Sequence, residues 1–82
     1  MNREDVKALI EAGMPGAEVI VEGEGNKFDV TVVSELFESL RPVQKQQRVY
    51  GCLNEHIASG AIHAVTMKTL TPEEWRRAKL FG

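Results

Sequence analysis

Residues 62–75 read Ile62-His63-Ala64-Val65-Thr66-Met67-Lys68-Thr69-Leu70-Thr71-Pro72-Glu73-Glu74-Trp75, and their reading decides the fold. Residues 62–69 read as a strand. Thr71 then predicts a helix N-cap, with Pro72 at the first helical position, where no N–H is needed. Glu74 stands three residues after the cap and completes a capping box. This is the strongest boundary signal in the chain. Trp75 is expected to pack the short last helix onto the body, because a helix of this length is marginal alone.

Working back, residues 42–58 predict a helix that opens on Pro42, carries Val49, Tyr50, Leu53 and Ile57 as its apolar stripe, and stops at Ser59-Gly60. Gly51 inside it costs about 1 kcal/mol relative to alanine, which predicts close packing against another element. Residues 27–34 alternate, with Phe28, Val30 and Val32 on one side and Asp29 and Thr31 on the other. Residues 17–22 form a second β-branched run, and Gly23-Glu24-Gly25-Asn26 between them supplies turn chemistry. The two runs predict an antiparallel hairpin with a loop slightly longer than the tightest type. Residues 2–13 predict a helix capped by Asn2 with Asp5 three residues on, ended by Gly13, Pro15 and Gly16. Residues 35–41 read as an irregular segment with a short helical turn. The order is helix, strand, strand, helix, strand, helix. A helix joins the second strand to the third, so those two are expected to pair in parallel through a right-handed crossover. One sheet face should carry the helices, leaving the other partly open.

At 82 residues the chain has room for one domain, residues 1–82. Its formal charge of −2 argues against a strongly basic polyanion binder. That balance hides a split. Residues 1–40 hold three basic and nine acidic side chains, net −6, whereas residues 41–82 hold seven basic and three acidic, net +4. Such a split suggests a dipolar surface. The single cysteine, Cys52, excludes an intrachain disulfide framework and a zinc site built on cysteine pairs. No apolar run approaches membrane-spanning length, and the polar start is unlike a secretory signal, so a reducing cytoplasm is the expected compartment and no membrane partner is expected.

His63 opens the third predicted strand, where one ring nitrogen can stay free while the backbone holds the residue in place. It also shares strand parity with Val65 and Met67, and one histidine is no metal signature. Residue by residue, a half-buried structural histidine is therefore the plainer reading. Cys52 and His56 are four apart on one helix face, within reach of one metal. Two ligands are too few for a closed site, and Cys52 reads more simply as a small helix residue. Lys45 and Arg48 on the same side are expected to lower its thiol pKa. Arg41, Lys45 and Arg48 make a basic stripe able to track phosphates, and Arg76, Arg77 and Lys79 add a second cluster. No aromatic residue builds a base-stacking platform along the stripe. Gly23-Glu24-Gly25 is a poor phosphate loop, since glutamates would repel the anion and no helix follows. No serine has a histidine with an acid behind it, so no enzyme activity is expected.

Several stretches together carry a resemblance: Val32-Val33-Ser34 with Leu36-Phe37, Gln47-Arg48-Val49-Tyr50-Gly51 with Leu53, and above all Ile62-His63-Ala64, Lys68-Thr69 and Thr71-Pro72-Glu73-Glu74-Trp75. In order and spacing they resemble the BolA-like family, most closely its YrbA/IbaG branch, over nearly the whole chain. The resemblance implies an α+β fold of order αββαβα with a three-stranded mixed sheet, related to the second type of KH domain. It implies a monothiol glutaredoxin as partner and a 2Fe-2S cluster shared with it, in iron–sulfur trafficking or stress signalling. His63 matches the family's cluster-ligating histidine, and histidine does replace cysteine on an iron of some such centres. This makes the ligand reading of His63 the favoured one. Many relatives place a second ligand, His or Cys, between the first two strands, where the matching position here is Lys27. A protonated lysine is no ligand. The last strand and helix, through Lys68, Arg76 and Arg77, are expected to form much of the docking face, with the chain alone a monomer or weak homodimer. The alternative is a transcriptional regulator that binds DNA through the KH-like fold and Arg41, Lys45 and Arg48, although a KH-type Gly-x-x-Gly clamp is missing.

Overall fold

The computed structural model describes residues 1–81, with side chains through Leu80. In chain order it has α1 (Arg3–Gly13), β1 (Glu18–Glu24), β2 (Lys27–Val33), a 3-10 turn (Glu35–Ser39), α2 (Pro42–Ala58), β3 (Ala64–Leu70) and α3 (Pro72–Phe81). The sheet order is β1-β2-β3. β1 pairs antiparallel with β2, and β3 pairs parallel to β2. This is the mixed three-stranded α+β arrangement expected from the order of elements.

The helix starts follow local chemistry. Asp5 N donates to Asn2 Oδ1 at 2.8 Å, and Asn2 N donates to Asp5 Oδ2 at 3.1 Å. The same reciprocal box opens α3, where Thr71 N donates to Glu74 Oε1 at 2.8 Å and Glu74 N to Thr71 Oγ1 at 3.2 Å. At α2, Pro42 takes the first position and Gln44 Oε1 accepts from Arg41 N at 2.9 Å. Each box satisfies backbone donors that the first helical turn leaves unpaired.

β2 is central, and its alternation sorts the two faces. Phe28, Val30 and Val32 point inward with Val19 of β1 and meet Val6, Ile10 and Met14 of α1, Val49 and Leu53 of α2, and Phe37 of the 3-10 turn. All of these are buried. Full burial of one such side chain contributes roughly 1.5–3 kcal/mol, so this single layer carries most of the apolar stabilisation. The opposite face, with Glu22, Lys27, Asp29, Thr66 and Lys68, is solvent-exposed. It carries both signs of charge, so the acidic and basic halves of the sequence do not sort into two surfaces here.

Four local expectations need correction. The hairpin turn is the tight two-residue type, Gly25-Asn26, because β1 runs on to Glu24, which pairs with Lys27. Gly23 therefore lies inside the ladder at φ 105°, where a Cβ would collide with the Lys27 carbonyl oxygen. β3 begins at Ala64 rather than Ile62, because Ile62 turns into the core. Tyr50 is 38% exposed, off the buried stripe of α2. Gly51 has open space where a Cβ would stand; the close approach is instead at Gly13, where a Cβ would run into Cys52 Sγ.

α3 is the most lightly held element. Trp75 lines a cleft with Pro15, Val33, Leu36 and Pro72. Its Nε1 is buried without a hydrogen-bond partner, so the indole is held by packing, with Lys79 Nζ 4.9 Å above the ring. Lys45 Nζ reaches from α2 to Glu74 Oε1 at 3.7 Å.

Two outcomes follow from these contacts. Gly13→Ala should destabilise by about 1 kcal/mol or more through overpacking, and adding Cys52→Ala should remove that penalty in a double-mutant cycle of denaturant midpoints. The Thr71 backbone N–H holds the Glu74 carboxyl below its ordinary 4.5. Its stabilising contribution is thus present above the unfolded value and lost as pH falls through the folded one. Glu74→Gln, which accepts from Thr71 but does not titrate, should flatten the loss of stability on acidifying from about pH 5 to 3.

Candidate functional site

His63 stands immediately before β3, on the junction that follows α2. Two hydrogen bonds fix its backbone: His63 N and Ala64 N both donate to the Asn26 carbonyl oxygen, at 2.9 and 3.2 Å. A carbonyl has two lone pairs, so one oxygen can seat both groups. Asn26 is the second residue of the tight hairpin turn, and Lys27 beside it pairs with Ala64. The histidine and the hairpin tip are therefore neighbours because β2 and β3 run in parallel from the same end of the sheet.

The imidazole is exposed, not half-buried as strand parity with Val65 and Met67 suggested. The reason is that β3 starts two residues later, at Ala64, which leaves His63 outside the strand. Among the described residues neither ring nitrogen takes part in a hydrogen bond. Gly60, at φ 84°, closes the end of α2 beneath the ring, and a Cβ there would lie 3.9 Å from Nε2. The side chain is thus presented on a fixed backbone with its nitrogens available, the condition for a ligand.

Except for Lys27, the remaining site residues lie apart from it. Lys27 is exposed at the start of β2, on the hairpin that abuts His63. No group of three or more His, Cys, Asp and Glu side chains suited to a metal ion occurs among the described residues. Cys52 is part-buried, with Sγ 3.6 Å from the Arg48 carbonyl oxygen it donates to. Burial pushes its thiol up from the ordinary value, and the Arg48 guanidinium offsets only part of that, so the expected lowering is reversed. His56 lines a different, apolar groove against Leu9 and Ala12 of α1.

The basic stripe is interrupted. Lys45 is drawn to Glu74, leaving its side chain 14% exposed, whereas Arg41 and Arg48 remain exposed. In the last helix Arg77 is bonded to Glu73 at 2.6 Å, and Arg76 is exposed with no ion pair among the described residues. Lys68 projects from the open sheet face beside Thr31 and Thr66. The placement of Asn26 and Gly60 beside His63 was not legible beforehand. Gly60 was readable as a helix stop, but its nearness to His63 depends on the tertiary fold.

Comparison with known proteins places the sequence and fold in a family. The family described as BolA-like protein matches residues 10–74. A protein of Acinetobacter guillouiae, described as an uncharacterized protein in the rpoN-murA intergenic region, is 50% identical over 82 residues, covering 100% of this chain and 99% of that one. The acid stress protein IbaG of Escherichia coli K12 is 43% identical over 77 residues, covering 94% and 92%. Among solved structures, a bolA protein homologue from Coxiella burnetii superposes with a TM-score of 0.82 at 35% identity, covering 93% of this chain and 97% of that one. With its αββαβα order, its mixed sheet and these matches along nearly its whole length, the chain belongs to the BolA-like family.

Proposed function

We propose that this BolA-like chain is an adaptor, not an enzyme, that docks a monothiol glutaredoxin and lends His63 to a 2Fe-2S cluster the two proteins share. The observation that carries the reading is the exposed His63 imidazole, whose backbone is pinned to the hairpin turn and whose ring nitrogens are free of hydrogen bonds. The residues present fit a contribution of one ligand. Lys27 stands where the family resemblance implies a second ligand in many relatives, and its ammonium has no lone pair to offer. The other iron ligands are then thiolates brought by the partner, which suit a 2Fe-2S centre. The chain's own work is to orient one imidazole and offer a docking surface. Lys68 and Arg76, exposed on the last strand and helix, are the cations of that surface, and Arg77 is already engaged by Glu73. The similarity to an acid stress protein supports a place in stress physiology.

A second reading is favoured by one observation. Arg41, the N-cap residue just before α2, and Arg48, two turns into it, are both exposed, about 10 Å apart along the helix direction. That arrangement suits backbone contacts to DNA.

The test is co-expression with a monothiol glutaredoxin and the visible absorption of the purified complex. His63→Ala should lower cluster retention by at least roughly ten-fold, the scale set by losing a mere outer-shell partner of a ligand. Lys27→His, which restores a second donor beside His63, should raise it. If the spectrum and cluster content of His63→Ala match the wild type, His63 is not a ligand. For the DNA reading, the Arg41→Glu/Arg48→Glu double variant should reduce the slope of log affinity against log salt by about 2. No measurable binding by the native chain at low salt would dispose of that reading.

A further inference from the structure

We propose that the free edge of β1 is a docking site for an extended segment of a partner protein, one with two acidic residues at alternate positions, an aliphatic residue between them and a basic residue on either side. β1 is an outer strand and pairs only with β2. Among the described residues its backbone makes no hydrogen bond to anything else. Every other residue of such a strand points its N–H and C=O outward, ready to accept another strand. A groove of about 420 Å³ runs along this edge, walled by Val19, Ile20 and Val21 on one side and by Arg3, Glu4 and Lys7 of α1 on the other.

Charge decides what fits. An added strand would alternate its side chains between the two faces of the sheet. Those on the inner face meet the Val19 and Val21 side and the α1 wall. Arg3 and Lys7 there have no ion pair among the described residues, and Glu4 cancels only one of the two charges. Arg3 and Lys7 are about 6 Å apart along the helix, and alternate residues of a strand are about 6.6 Å apart. Two carboxylates at positions i and i+2 therefore match the two cations. Side chains on the outer face meet Glu18, Ile20 and Glu22, which suit a basic, an aliphatic and a basic residue in turn.

A second copy of this chain is the wrong occupant. Two β1 strands paired antiparallel about Ile20 would set Glu18 directly opposite Glu22 of the other copy, and like charges across a pair destabilise it. The acidic edge thus blocks self-association while remaining open to a strand of the opposite pattern. β1 and β3 are opposite edges of the sheet. The proposal therefore does not depend on His63 or a cluster, and it is tested on the chain alone.

The probe is the capped peptide valine-lysine-glutamate-isoleucine-glutamate-lysine-valine. It is palindromic, so parallel and antiparallel docking present the same pattern. Titrated into the ¹⁵N-labelled protein, it should shift the amide signals of residues 18–24 and slow their hydrogen exchange. Arg3→Glu/Lys7→Glu changes two exposed positions near a helix start, where acidic residues are tolerated. It should weaken binding about ten-fold, and replacing both glutamates of the peptide by lysine should restore it. Shifts confined to β3 or the Trp75 cleft, no shift at β1 with millimolar peptide, or equal affinity for the double variant would each overturn the proposal.

Discussion

Everything in this molecule depends on the parallel pairing of β3 with β2. β2 lies between β1 and β3, and its inward residues Phe28, Val30 and Val32 form the floor on which α1 and α2 rest. The register Lys27 to Ala64 through Val33 to Leu70 sets what lies at each end of the sheet. At one end it brings the hairpin turn against His63. At the other, Ser34 N donates to the Leu70 carbonyl at 3.0 Å, while Ser34 Oγ caps the 3-10 turn through Leu36 N at 3.1 Å. A slip of one residue would reverse the faces of β3 and move His63 off the Asn26 carbonyl.

The open sheet face is a direct result of size. A chain this short can bury one layer of side chains well, but not two. Placing α1 and α2 on one side leaves the other wet, and the residues there have adapted to water: Glu22, Asp29, Thr66 and Lys68 take the positions that a second helical layer would make apolar. α3 is left to hold on by Trp75 and by the bond between Lys45 and Glu74.

What could be read beforehand was what is local. Asn2 with Asp5 and Thr71 with Glu74 meet within four residues, so their capping boxes follow from spacing alone. Alternation in residues 28–32 and the long crossover through residues 42–58 were enough to order the strands. What could not be read were contacts set by distant parts of the chain. Gly23 and Gly25 look alike in sequence, yet one is in a ladder and the other in a turn, because pairing with Phe28 decides between them. The close approach expected at Gly51 is found at Gly13, since only packing reveals which faces Cys52. The exposure of His63 turned on where β3 begins, and Lys45 left the basic stripe because α3 folds back beside it. The family resemblance singled out His63 without either contact that seats it.

The tight Gly25-Asn26 turn also bears on the order in which the molecule comes together. A hairpin closed by two residues forms on the microsecond scale. β3 cannot join it until α2 has crossed over, and closing so long a loop delays the pairing. Asn26 is in place early, but its carbonyl acquires His63 only when the last strand arrives. The histidine is thus seated only where β3 is paired with β2. A partner that recognises the seated imidazole would therefore distinguish a chain with β3 in place from one holding only the hairpin.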